Sequence, residues 1–137
     1  MISFKNIIGI ISVFILLTGC HSGANEPTAE SCGYFKTGTF KYVGSEDIRI
    51  ERTADLQIEY NLNGDGGYIY TDKFNVVWTS DCEYYLTLQS TDHPEDLDFS
   101  KTDTMWTKIT NVGRAGYTFT AVKGDEIFEG ELKKTDS

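Results

Sequence analysis

Apolar and polar residues alternate with a period of two along most of positions 38–132. This period is typical of antiparallel β-strands that bury one face and leave the other in water. The segment 56–62, for example, reads Leu-Gln-Ile-Glu-Tyr-Asn-Leu, which predicts that its leucine, isoleucine and tyrosine side chains face the core. No stretch of twelve residues shows a helical period, so the pattern predicts an all-β fold.

Turn signals divide this alternation into about seven to nine short strands. They include the Asn-Gly and Asp-Gly pairs at 63–66, the Gly-rich segment 113–116 and Lys-Gly-Asp at 123–125. We expect an antiparallel up-and-down barrel or a strongly curved meander. A two-sheet sandwich is the alternative, because strand spacing alone does not separate these architectures. The chain is long enough for one domain, and its one long irregular segment is 90–103.

The charge balance argues against several classes of protein. Twelve Lys and Arg residues face 21 Asp and Glu residues, which gives a net charge of -9. Such a chain repels nucleic acid phosphates, so we expect no nucleic acid partner. A charged fraction of 24% and an apolar fraction of 39% fit neither a disordered polar chain nor a protein with many membrane spans.

The first twenty residues have the pattern of an export signal. Lys5 is their only charged residue, residues 7–17 are almost all apolar, and the segment ends in Leu-Thr-Gly-Cys at 17–20. This ending resembles the bacterial lipobox, in which a diacylglycerol is attached to the cysteine and the peptide before it is removed. The resemblance implies a signal peptide at 1–19 and a lipidated Cys20. An ordinary secretory signal or an uncleaved anchor is the alternative.

The resemblance also implies a location. Two or three acyl chains hold a protein on a membrane almost permanently, since each buried CH₂ contributes about 0.8 kcal/mol. Residues 20–31 lack large apolar side chains and are predicted to be a flexible tether, followed by a barrel-like domain at 32–137. His21, in place of the aspartate of known inner-membrane retention signals, favours sorting to the outer membrane of the bacterial cell envelope. Because no acidic run follows Cys20, the periplasmic face is favoured.

The cysteine count fits this location. With Cys20 lipidated, Cys32 and Cys82 remain, and in an oxidising compartment such a pair most simply forms a disulfide. The bridge would close a loop of about fifty residues and contribute around 4 kcal/mol by chain entropy. Metal ligation or two free thiols are the alternatives, although no Cys-x-x-Cys motif is present.

Several segments together resemble a group of small uncharacterised bacterial lipoproteins with a lipocalin-like β fold. The matching segments are Cys-Gly-Tyr-Phe-Lys-Thr-Gly-Thr-Phe at 32–40, Arg52 with Gln-Ile-Glu at 57–59, and Val-Val-Trp-Thr-Ser-Asp-Cys-Glu-Tyr-Tyr-Leu at 76–86. Some members carry a DNA topoisomerase IV label, which a short, acidic, exported chain contradicts. The resemblance implies a fold and a location but no activity.

Five aromatic residues are the candidates for lining a ligand cavity, although they could equally fill a solid core. They are Phe40, Phe74, Trp78, Trp106 and Phe119. The segment 61–72 comes near a calcium-loop pattern, but hairpin turns explain it more simply. The acidic residues around His93 could form a weak divalent site or a solvated loop. We therefore expect no metal, no cofactor and no catalytic residue, and we find no motif of a nucleophile or phosphate loop.

These observations predict a non-catalytic, lipid-anchored envelope lipoprotein that binds another protein or supports envelope assembly. The alternative is a lipocalin-like carrier of a small apolar ligand. An envelope enzyme that uses carboxylates is a third hypothesis, which would need acids clustered in a cleft.

Overall fold

The computed structural model describes residues 28–135, which form a closed barrel of eight antiparallel strands preceded by one short helix. This confirms the predicted all-β barrel and excludes the sandwich. The elements are α1 (Ala29–Gly33), β1 (Gly38–Tyr42), β2 (Ile48–Arg52), β3 (Leu56–Leu62), β4 (Tyr68–Trp78), β5 (Glu83–Thr91), β6 (Thr104–Val112), β7 (Gly116–Lys123) and β8 (Glu126–Lys134).

Each strand pairs with the next strand in the chain, and β8 pairs with β1 to close the barrel. Short hairpins make this order possible, as at Gly124, whose φ of 59° lies in the left-handed region that favours glycine. The longest connection is 92–103, which agrees with the predicted irregular segment. Closure leaves no free sheet edge, so the backbone groups of every strand have a neighbouring strand to bond.

Apolar side chains from most strands fill the barrel in two adjoining clusters. The first surrounds Phe40, Ile50 and Tyr117, and the second surrounds Phe74 and Leu86. Half-buried Trp78 packs against both clusters and joins them into one interior.

Helix α1 closes one end of the barrel. Thr28 and Ser31 form a capping box that starts the helix, and Cys32 is bonded to Cys82, with 5.2 Å between the two Cα atoms. The predicted disulfide is therefore confirmed. The helix begins inside the segment predicted as a tether to residue 31, because the capping box satisfies its first backbone N–H groups. Phe35, which follows the helix, is buried in the first cluster.

The up-and-down order separates the connections into two groups. We call the end formed by α1 and the turns 53–55, 79–82 and 113–115 the helix end. The opposite end, formed by 43–47, 63–67, 92–103 and 124–125, is the loop end.

Candidate functional site

Four of the five aromatic residues predicted to line a ligand cavity lie inside the barrel. Phe40 and Phe74 are buried, and Trp78 and Phe119 are half-buried against the core clusters. Trp106 is on the outer wall with 53% of its surface exposed, so its assignment to a cavity is wrong.

Strand β3 places its polar face inside, which reverses the prediction from its alternation. Gln57 is 3% exposed, whereas Leu56 and Ile58 on the opposite face are only half-buried. The register explains this reversal, because residues directly opposite on paired strands share a face. Gln57 lies opposite the buried Phe74, and Glu59 lies opposite the buried Ile50.

A buried arginine is the reason that polar side chains can occupy this part of the core. Arg52 donates from Nε to Oε1 of Gln57 at 2.7 Å and from Nη1 to the Tyr117 hydroxyl at 2.9 Å. It also donates to the Phe35 carbonyl oxygen at 3.3 Å and to the Tyr84 hydroxyl at 3.2 Å. A guanidinium carries five N–H donors, so these acceptors compensate much of its desolvation. Burial also raises the pKa of Tyr84, which keeps this hydroxyl neutral.

Two carboxyl groups extend the buried network towards the loop end. Nε2 of Gln57 donates to Oε1 of Glu59 at 2.7 Å. Asp72 lies opposite Glu59 and accepts from Thr91 Oγ1 at 2.6 Å and from Asn61 Nδ2 at 3.3 Å. We call Arg52, Gln57, Glu59 and Asp72 the interior polar network.

The surroundings of the Glu59 carboxyl group disfavour its charged form. Burial raises its pKa and the charge of Asp72 raises it further, while the hydrogen bond from Gln57 and the charge of Arg52 act in the opposite direction. Glu59 in turn is the main cause that raises the pKa of Tyr42 well above the ordinary value. The members hydrogen-bond chiefly to one another and to neighbouring side chains, so the network is suited to holding strands together.

Two polar atoms in the interior have no hydrogen-bond partner among the described residues. They are Nε1 of Trp78 and Oγ1 of Thr107, and both residues lie opposite Tyr84 on neighbouring strands. Buried polar groups are nearly always satisfied, so each of these atoms calls for a water or a ligand atom.

The outer wall carries an apolar row that crosses five neighbouring strands. Val77 lies opposite Tyr85, Tyr85 opposite Trp106, Trp106 opposite Val122, and Val122 opposite Ile127. Tyr85 is half-buried, and the other four side chains are between 37% and 71% exposed. The rings of Tyr85 and Trp106 are in contact, with their centroids 4.7 Å apart. We call these five residues the outer stripe.

Polar rows border the outer stripe on both sides. On the side nearer the helix end, Lys108 and Glu83 form an ion pair at 3.3 Å. A shallow groove of about 450 Å³ runs beside Trp106 and Val122 and is bordered by Lys108 and Thr120. On the other side, Asn75 lies opposite Thr87, so the stripe is a defined apolar band with a polar rim. Bands of this kind are typical of surfaces that bind proteins.

Sequence reasoning missed the outer stripe, although the sequence contains its signal. Each contributing strand holds an apolar doublet or triplet, in which one side chain points inwards and its neighbour outwards. These runs are Val-Val-Trp at 76–78, Tyr-Tyr-Leu at 84–86, Met-Trp at 105–106, Ala-Val at 121–122 and Ile-Phe at 127–128. A strand with one face in water needs only every second residue to be apolar. An apolar doublet therefore places an apolar side chain on the outer face as well.

The remaining sequence candidates do not come together as a site. In the 61–72 segment, Oδ1 of Asn63 accepts from the backbone N–H groups of Asp65 and Gly67, as a hairpin turn requires. His93 pairs with Asp96 at 3.3 Å on the exposed 92–103 loop. Within residues 28–135, no group of three or more His, Cys, Asp and Glu is arranged to hold a metal ion. Cys20 and the predicted signal peptide at 1–19 lie outside the described residues.

Comparisons with protein families, with characterised proteins and with solved structures found no match to this chain. In the part of the chain that the structure describes, no helix has the length and apolar character to cross a bilayer.

Proposed function

We propose that this chain is a non-catalytic lipoprotein of the bacterial cell envelope, anchored by a lipid on Cys20, and that its barrel binds another protein through the outer stripe. The lipobox-like segment 17–20 supports the anchor. The observation that carries the binding role is the outer stripe, which holds an exposed tryptophan at its centre.

The composition of the stripe fits a protein partner. Tryptophan and tyrosine are enriched among the residues that dominate binding energy, and they act best when a polar rim excludes water around them. Trp106 and Tyr85 occupy the middle of the stripe, and Glu83, Lys108 and Glu129 lie along its border. Because acids outnumber bases on this border, we expect the partner surface to be apolar with a basic rim.

Photo-crosslinking in intact cells tests this role. A photoreactive phenylalanine analogue replaces Trp106 in the full-length chain, and a matched chain carries it at Lys73, which is exposed on the same wall outside the stripe. We expect one discrete adduct from position 106 that is absent from position 73. The adduct should disappear when Val122→Lys is added and persist with Gln89→Lys, which is exposed on β5 outside the stripe. Equal adducts from both positions, no adduct, or an adduct with only a second copy of this chain would overturn the proposal.

The interior favours a carrier as the second candidate function. The unpartnered Nε1 of Trp78 and Oγ1 of Thr107 could bond a small ligand that carries a polar group. Native mass spectrometry of the chain purified from its own cells tests this function. A bound small molecule that is lost on Thr107→Val would support it, and a spectrum without adducts would overturn it.

A further inference from the structure

The two ends of the barrel differ in charge. Counting the connections and the strand residues that border them, the loop end carries ten acidic side chains and two lysines. Its acids are Glu46, Asp47, Asp65, Asp92, Glu95, Asp96, Asp98, Asp103, Asp125 and Glu126, and its lysines are Lys101 and Lys123. The helix end, counted in the same way from residue 28 to residue 135, carries four acids and four bases, of which Arg52 is buried.

One base of the helix end, Lys134, lies beside the exposed aromatic ring of Tyr34. Tyr34 is 53% exposed, and Nζ of Lys134 lies 4.1 Å from the centre of its ring. The backbone N–H of Lys134 donates to the carbonyl oxygen of Ala115, which places the turn with Arg114 next to this pair. We call Tyr34, Arg114 and Lys134 the helix-end patch. A tyrosine flanked by cations suits the interface between a bilayer and water.

The chain leaves the described structure at this same end. Residues 20–27 connect Cys20 to Thr28, and eight residues span at most about 28 Å. A nine-residue strand tilted by about 40° spans roughly 23 Å along the barrel axis. The anchor therefore allows the barrel to stand on its helix end or to lie on its side, and other forces must select between these orientations.

We propose that the helix-end patch contacts an anionic phospholipid surface, so that the barrel stands on its helix end with the acidic loop end directed away from the membrane. This inference rests on the proposed lipid anchor. Anionic headgroups repel the loop end far more than the helix end, where accessible acids and bases nearly balance, and each nearby Lys or Arg adds attraction within a Debye length of the surface. Standing on this end also leaves the outer stripe facing sideways, where a protein partner can reach it.

Fluorescence quenching on vesicles tests this orientation. The mature lipidated chain is reconstituted into vesicles of phosphatidylglycerol and phosphatidylcholine that contain a nitroxide on a fraction of the headgroups. Trp78 is replaced by Phe in both chains, so that one chain reports on the stripe through Trp106 alone, and the other, with Tyr34→Trp and Trp106→Phe added, reports on the helix end. We expect the tryptophan introduced at position 34 to lose several times more of its emission than Trp106 does.

Charge reversal provides the matched control. Arg114→Glu with Lys134→Glu, made in the chain that carries the tryptophan at position 34, should reduce the quenching to the level of Trp106, because it makes the helix end acidic. Lys73→Glu with Lys101→Glu changes the net charge equally, away from the helix end, and should leave the quenching unchanged. Stronger quenching of Trp106 would show that the barrel lies on its stripe and would overturn the proposal, as would equal quenching at both positions.

Intact-mass measurement separates this proposal from the one on which it rests. A chain without acyl groups on Cys20 overturns both. Lipidated chains in which Trp106 and the tryptophan introduced at position 34 are quenched equally overturn only the orientation.

Discussion

The inside of β2–β4 and the outside of β4–β8 each contradict the simple alternation of a half-buried strand. Inside, Arg52, Gln57 and Asp72 are buried although they are polar. Outside, Trp106 and Ile127 are exposed although they are apolar. The polar side chains of the interior are compensated by hydrogen-bond partners within the chain, whereas the apolar side chains of the outer wall stay largely exposed to solvent. This difference is consistent with a stabilising role for the interior polar network and with the proposed binding role of the outer stripe.

The largest expected effect comes from the disulfide that holds α1 over the interior polar network. Phe35 follows α1, and its carbonyl oxygen accepts from Arg52, so freeing the helix also exposes this acceptor to water. We expect Cys32→Ser with Cys82→Ser to lower the free energy of unfolding by about 4 kcal/mol, for a closed loop of about fifty residues. Urea unfolding measures this change, and a loss below about 1 kcal/mol would contradict it.

The next effect comes from the centre of the interior polar network. Arg52→Met removes the donor that Gln57, Tyr84 and Tyr117 share, and we expect a loss of about 3 kcal/mol, typical of a broken buried charged network. Arg49 on the outer wall provides the control, because its pair with Glu51 is exposed. Arg49→Met should cost less than about 1 kcal/mol in the same urea assay. Equal losses for the two variants would show that the buried hydrogen bonds contribute nothing specific.

A third prediction concerns pH. Burial raises the pKa of Glu59, so the folded state keeps this proton to a higher pH than the unfolded state does. The protonated Glu59 carboxyl contributes fully to the free energy of unfolding below its ordinary pKa of 4.5. This contribution is lost as pH rises through the folded-state pKa. Glu59→Gln should therefore flatten the fall in stability between mildly acidic and neutral pH, with a net gain at neutral pH.

The control for this prediction is an exposed carboxyl group. Glu129→Gln on the outer wall of β8 makes the same chemical change at an exposed side chain and serves as the matched variant. Urea midpoints measured at several pH values compare the two variants with the native chain. A Glu59→Gln profile that runs parallel to the native profile would show that burial does not control this group.

Strand period and turn residues predicted an antiparallel barrel or a curved meander, while strand spacing alone left the two-sheet sandwich open. It did not predict the interior of β3, because Leu56, Ile58 and Tyr60 present a plausible dry face on their own. Only the register with Ile50 and Phe74 shows that Gln57 and Glu59 point inwards, and register depends on neighbouring strands. The position of Trp106 was mistaken for the same reason, since an apolar doublet does not say which member is inside.

The smallest expected effect on stability comes from a substitution in the outer stripe. This substitution is the sharpest test of the difference between the interior polar network and the outer stripe. Trp106→Thr keeps a residue that favours strands, and we expect the free energy of unfolding to change by no more than about 0.5 kcal/mol, as for other exposed positions. The same change should weaken partner binding by at least about 2 kcal/mol, roughly thirtyfold, because a central tryptophan is a typical hot spot. Arg52→Lys serves as the counterpart, since it should lower stability while leaving the affinity of the folded fraction intact. If Trp106→Thr instead unfolds the barrel, or binds its crosslinked partner normally, the stripe belongs to the fold and the division between the two regions fails.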